Sequence, residues 1–139
     1  MSNLLNFYEI VEKGIESLGI PPKSARAQES GQWDFNRGSA VIAVGVISSD
    51  RFPNGYLYVS SILMSAEEVT AEKKEEFYKT MCEMNSSLVN MKLCINDNLV
   101  QLISNRDAIG LDIDEVATTI NALSYYADLL DDRLRENFT

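Results

Sequence analysis

Histidine is missing from all 139 residues, and the chain holds only two cysteines, three prolines and seven glycines. Without an imidazole to take a nucleophile's proton near neutral pH, Ser-His-acid and Cys-His catalysis are excluded. Histidine-free schemes such as serine with lysine find no positioned pair. Two cysteines alone cannot supply the usual four ligands of a zinc site. The glycines, at positions 14, 19, 31, 38, 45, 55 and 110, are too dispersed for G-x-G-x-x-G or the Walker loop, which surround phosphates with backbone amides. Positive charge is scarce too: 12 Lys and Arg against 21 Asp and Glu leave a net charge of −9, which repels nucleic acid and anionic lipid. The one locally basic stretch, Lys23 to Arg26, follows Pro21-Pro22 and reads as a solvated loop. No apolar run approaches the roughly 20 residues of a membrane helix; the longest, Ala40 to Ile47, has the length of a strand. The first residues, MSNLLNFYEIVEKGIESLG, lack the basic start and cleavage site of a signal peptide, so a cytoplasmic location is expected. The expectations are no enzyme, no cofactor, no metal, no nucleic acid and no membrane.

What is present is ordered pattern. A chain of this length can bury a core without disulfides or metal, so residues 1–139 are expected to form one domain. Leu4, Tyr8, Val11, Ile15 and Leu18 alternate steps of four and three and predict a helix, which Gly19 and Pro21-Pro22 stop. Gln32 to Phe35 and Ser39 to Ile47 read as two strands joined by a three-residue turn, Asn36-Arg37-Gly38. A polar loop with Pro53-Asn54-Gly55 leads to a third strand, Tyr56 to Met64. Ser65 and Glu68 have capping-box spacing, Thr70 offers a second helix start, and Phe77, Met81, Met84 and Leu88 give that second helix, Thr70 to Leu88, its apolar face. Met91 to Ile95 and Leu99 to Ile103 flank Asn96-Asp97-Asn98 as a second hairpin. Ile113, Val116, Ile120, Leu123, Ala127, Leu130 and Leu134 then mark a long closing helix, better suited to lying across a sheet than to a coiled coil. The fold class is therefore α+β: an antiparallel sheet of about five strands packed by helices, in the order α-β-β-β-α-β-β-α.

Candidate chemistry has a plain explanation in each case. Asp112, Asp114 and Glu115 are the densest carboxylates, but acidic groups at a helix start accept its free amides and complement its dipole. Asp128, Asp131 and Asp132 with Arg133 and Arg135 read as a solvated face. Cys82 and Cys94, without Cys-x-x-Cys spacing, are expected to be small buried hydrophobes. Met64, Met81, Met84 and Met91 crowd the middle third, and filling the core is the plain reading of each one; together with Phe77, Cys82 and Leu88 they still give more apolar surface than one sheet contact absorbs, which would leave a face of the second helix over. Burial against a second copy through Phe77, Met81, Met84 and Leu88 is the expected remedy, and the chain is expected to be a homodimer. Trp33, Tyr56 and Tyr58 offer a different use of the sheet, a concave face for a small molecule or peptide in a sensor domain.

The segments Leu4 to Leu18, Gln32 to Met64, Thr70 to Leu88, Met91 to Ile103 and Asp112 to Phe138 together resemble the class I type III secretion chaperones and the related YbjN-like bacterial proteins. The resemblance covers almost the whole chain, is architectural, and carries over no single residue. It implies a cytoplasmic, non-enzymatic homodimer that binds a protein or peptide partner in a chaperone-like or regulatory role.

Overall fold

The 3,4 spacing near the N-terminus forms helix α1, Ser2–Ser17, in a computed structural model that describes residues 2–139, with side chains from Leu5 onward. Leu4, the first member of the expected stripe, lies outside the described side chains. Val11 and Ile15 are fully buried, and Phe7 joins them one helical turn earlier. Gly19 ends the helix with a left-handed backbone (φ 84°), a conformation that costs glycine no Cβ clash.

The segment expected as a solvated loop is instead a short helical turn, α2, Pro22–Ala25. Proline suits this first position, where its missing N–H deprives the helix of nothing. Ala25 is buried, and Arg26 turns back to α1, donating to both Glu12 oxygens (Nε to Oε2, 2.6 Å; Nη2 to Oε1, 2.7 Å). Trp33 Nε1 donates to the same Oε2 at 2.8 Å. One carboxylate thus pins α1, α2 and the first strand. The Arg26 hydrogen bond, against some burial, holds the Glu12 carboxyl below its ordinary value. A depressed carboxyl pKa stabilises the fold above the ordinary carboxylate range, and that contribution is lost as pH falls through the folded value. Glu12→Gln is therefore expected to melt below wild type at neutral pH, with the two melting temperatures converging as pH drops below the carboxylate range.

Five strands form one antiparallel sheet: β1 Gln32–Arg37, β2 Ala40–Ile47, β3 Tyr56–Ser65, β4 Lys92–Asn96 and β5 Leu99–Asp107, in spatial order β1-β2-β3-β5-β4. The first hairpin is tighter than its sequence suggested. Arg37 pairs with Ala40, so the turn is Gly38-Ser39, and Arg37 remains in the strand, where it donates to Asn121 and to the Leu18 carbonyl. The second hairpin turns through Asp97 and Asn98, both at positive φ (51° and 65°), the pair of left-handed residues that a two-residue turn matched to strand twist requires. A bulge between Ile62 and Met64 breaks the alternation of β3, and Leu63 and Met64 are both buried as a result.

The second helix is shorter than its pattern. The Ser65/Glu68 capping box is present, with Glu68 accepting from Ser65 N–H at 2.8 Å, but it caps a single 3-10 turn, Ala66–Glu68. A second 3-10 turn, Ala71–Lys73, leads into α3, Lys74–Asn85, so Leu88 lies beyond the helix end. Cys82 was expected in the core; it is exposed on α3, because the buried stripe of Phe77 and Met81 leaves it on another side of the helix. Helix α4, Ile113–Phe138, starts at Asp112, whose Oδ1 accepts from Glu115 N–H at 2.8 Å. Val116, Ile120, Leu123, Ala127, Leu130 and Leu134 are all buried. A Cβ on Gly14 would lie 2.6 Å from Val116 Cγ1, so α1 and α4 approach to a distance that only glycine permits.

Candidate protein-binding surface

Strand alternation sorts the sheet into two unlike faces. Trp33, Ile42, Val44, Leu57, Val59 and Leu102 point to one side, where they join residues of α1, α3 and α4 in a single core. Their neighbours in sequence point to the other side. Register places Ala43 against Ser60 and Gly45 against Tyr58, so Val41, Ile47, Tyr56 and Ile62 share that face. There Val41 is 60 % exposed, Ile62 56 % and Ile47 37 %. Ser60 pairs with Ile103, which is buried yet stands apart from the main core. The second face is thus an apolar strip along β2 and β3, with small residues Ala43, Gly45 and Ser60 at its centre and larger ones at its ends. No helix among the described residues packs on it. Asp34, Lys92, Gln101 and Asn105 lie on the same face and give it polar borders.

Tyr56 continues into a cleft of about 380 Å³ lined also by Ser49, Arg51, Phe52, Asn105 and Asp107. Burial pushes the Tyr58 phenol and the Cys94 thiol up from their ordinary values, so Cys94, half-buried on the same face, is a thiol and not a thiolate at neutral pH. Cys94 was expected in the core; it sits on the uncovered face because Leu93, its neighbour, takes the inward position.

The aromatic trio of the sensor reading does not assemble. Trp33 faces the helices and is 2 % exposed, held by Tyr8 edge-on and by Glu12, whereas Tyr56 and Tyr58 face the opposite way. Strand parity decides this: Trp33 pairs with Val44, and Tyr58 with Gly45 one residue along.

On α3, Phe77 and Met81 are enclosed by the chain itself; Phe77 meets Phe138 edge-on with centroids 5.2 Å apart. Met84 and Leu88 are half-buried against the core, and Tyr78 and Val89 are exposed. Asp112 caps α4 and Glu115 binds Arg106 at 2.6 Å, so both carboxylates serve local structure. Arg135 joins Asp131 (2.6 Å), Glu68 (2.9 Å) and the Leu63 carbonyl (2.9 Å), tying α4 to the bulge. Among the described residues there is no group of three or more Cys, Asp and Glu placed to hold a metal ion, and no helix is long and apolar enough to cross a membrane. The uncovered strip itself was legible only as strand alternation; which side the helices take was not.

No protein-family model matches the chain, and no curated protein matches it. Solved structures match over nearly the full length. The fold is that of the type III secretion chaperones, an α+β unit with a five-stranded antiparallel sheet. A chain of the ExsC–ExsE complex superposes with a TM-score of 0.66 at 10% identity, covering 91% of this chain and 92% of that one. The structure of the Yersinia pestis type III secretion chaperone SycH with a fragment of YscM2 gives 0.61 at 13% identity, over 89% and 98%. The HopA1–SchA chaperone–effector complex gives 0.63 at 13% identity, over 98% and 97%.

Proposed function

We propose that this protein is a non-enzymatic, chaperone-like or regulatory protein of the cytoplasm that holds a segment of a protein partner on the uncovered face of its sheet. The observation that carries the reading is the one-sided sheet: Val41, Ile47 and Ile62 form an exposed apolar strip that the chain's own helices leave open. Exposed apolar side chains on an uncovered sheet face, bordered by polar groups, are a mark of protein interaction sites. The similar chains add support: one is a chaperone crystallised with a fragment of YscM2, and another comes from a chaperone–effector complex. The same reading treats residues 1–139 as one unit, keeps the YbjN-like class as its broader home, and assigns self-association to the outer side of α3, around Met84 and Leu88.

The test is a photo-cross-linking amino acid placed at position 62, with reduced, unfolded casein as the probe polypeptide. Cross-links are expected from position 62 and not from position 132, on the exposed side of α4. Equal yields from both positions would refute the assignment of the sheet face.

A further inference from the structure

Strand β4 is an edge strand, and an edge strand exposes a row of unpaired backbone groups that another chain can join. In an antiparallel pair, alternate residues turn N–H and C=O towards the neighbouring strand and away from it. Leu93 turns both away from β5, and both are occupied. The Asn85 side chain, at the last residue of α3, accepts from Leu93 N–H (Oδ1, 2.7 Å) and donates to the Leu93 carbonyl (Nδ2, 3.1 Å). The side-chain amide presents its carbonyl and one N–H of its NH2 group here, the same pair that a residue of an added strand would present. The loop that follows is itself anchored, because Ser104 Oγ donates to the Asn90 carbonyl at 2.6 Å. By the same alternation Ile95 is the other outward-turned residue of this five-residue strand, and its side chain is partly exposed.

We propose that Asn85 is a plug that closes the β4 edge against strand addition, whether by a second copy of this chain or by an extended partner segment. Strand addition needs consecutive rungs, and the plug takes one of the two that β4 turns outward. What it prevents is edge-to-edge pairing of β4 with β4 in a second copy, an isologous contact that would join two sheets into one. The inference stands apart from the reading of the sheet face, because it concerns the rim of the sheet and holds whatever the face binds.

Hydrogen exchange on the wild-type protein tests the plug directly. The Leu93 amide is expected to exchange about ten-fold more slowly than the Ile95 amide, although both point away from the sheet. Equal rates would overturn the proposal. Asn85→Ala, and Asn85→Leu as a variant of similar volume should the first fail to fold, are expected to abolish that difference. They are also expected to raise the solution mass above the wild-type value at high concentration, and adding Ile95→Pro, which removes one of the two outward N–H groups then free and so breaks the run of rungs, should return it. Variants that lose the Leu93 protection yet keep the wild-type mass throughout would show that Asn85 does not close this edge.

Discussion

Phe77→Ala is expected to lower stability by about 3–5 kcal/mol, the range for removing a fully buried aromatic side chain. Phe77 is 0 % exposed and packs edge-on against Phe138, the last residue of α4, so the deletion opens a cavity where α3 and the end of α4 meet. Against a total of roughly 5–15 kcal/mol for a domain, this is a large share. For a chain of this size it corresponds to a fall in melting temperature of roughly 10–20 °C, readable by calorimetry. Met81→Glu should go further and abolish folding, since it forces an unpaired carboxylate into the same interior. Met84→Glu with Leu88→Glu is the informative contrast. Those two side chains are only half-buried, so the double variant is expected to remain folded and to run as a monomer in light scattering. A folded double variant with unchanged dimer mass would remove self-association from this side of α3. Folded Met81→Glu protein would mean that α3 is not packed as described.

Val41→Asp combined with Ile62→Asp is expected to abolish polypeptide binding while leaving the fold in place. Both residues are more than half exposed, so their replacement removes little buried surface. The cost is the lower β propensity of aspartate, a scale that spans about 1 kcal/mol in total, and exposed substitutions usually stay within about 0.5 kcal/mol. Binding is another matter. Two carboxylates placed along the apolar strip must be desolvated by any apolar segment that lies on it, which costs several kcal/mol unless they find partners. A loss of casein affinity of at least about 100-fold, measured by fluorescence anisotropy, is the expected result. Unchanged affinity in a normally folded double variant would move the binding site off the sheet face.

How much of this was legible beforehand differs element by element. Helix α4 could be read almost to the residue, because a 26-residue helix with one buried stripe repeats its signal many times and Asp112 marks its start. The second hairpin was equally plain, since Asp97 and Asn98 tolerate the left-handed backbone that its turn requires. Shorter elements failed where a tertiary contact outweighed local preference. Lys23 to Arg26 looked like loop because its helical turn is only four residues long and is held by Glu12, fourteen residues upstream of Arg26. Leu88 carried the right spacing for α3 but lies past Ser86, the residue that caps the helix. The exposed Cys82 shows the same limit: residue type indicates a preference for burial, and helix phase overrides it.

The sequence by itself determined the number, type and order of the long elements, the acidic surface, and the absence of histidine-based chemistry. Those properties are local or additive, set by periodicity, turn chemistry and counts of charge. Only the tertiary structure decided that β5 lies beside β3 with β4 at the rim, that all three long helices gather on one face, and that Trp33 and Tyr58 therefore point apart. Alternation along a strand tells which residues share a face but carries no label for which face is covered. That choice is made by packing between residues far apart in the chain, where Gly14 admits Val116 and α4 settles over β3. The open apolar strip is the consequence.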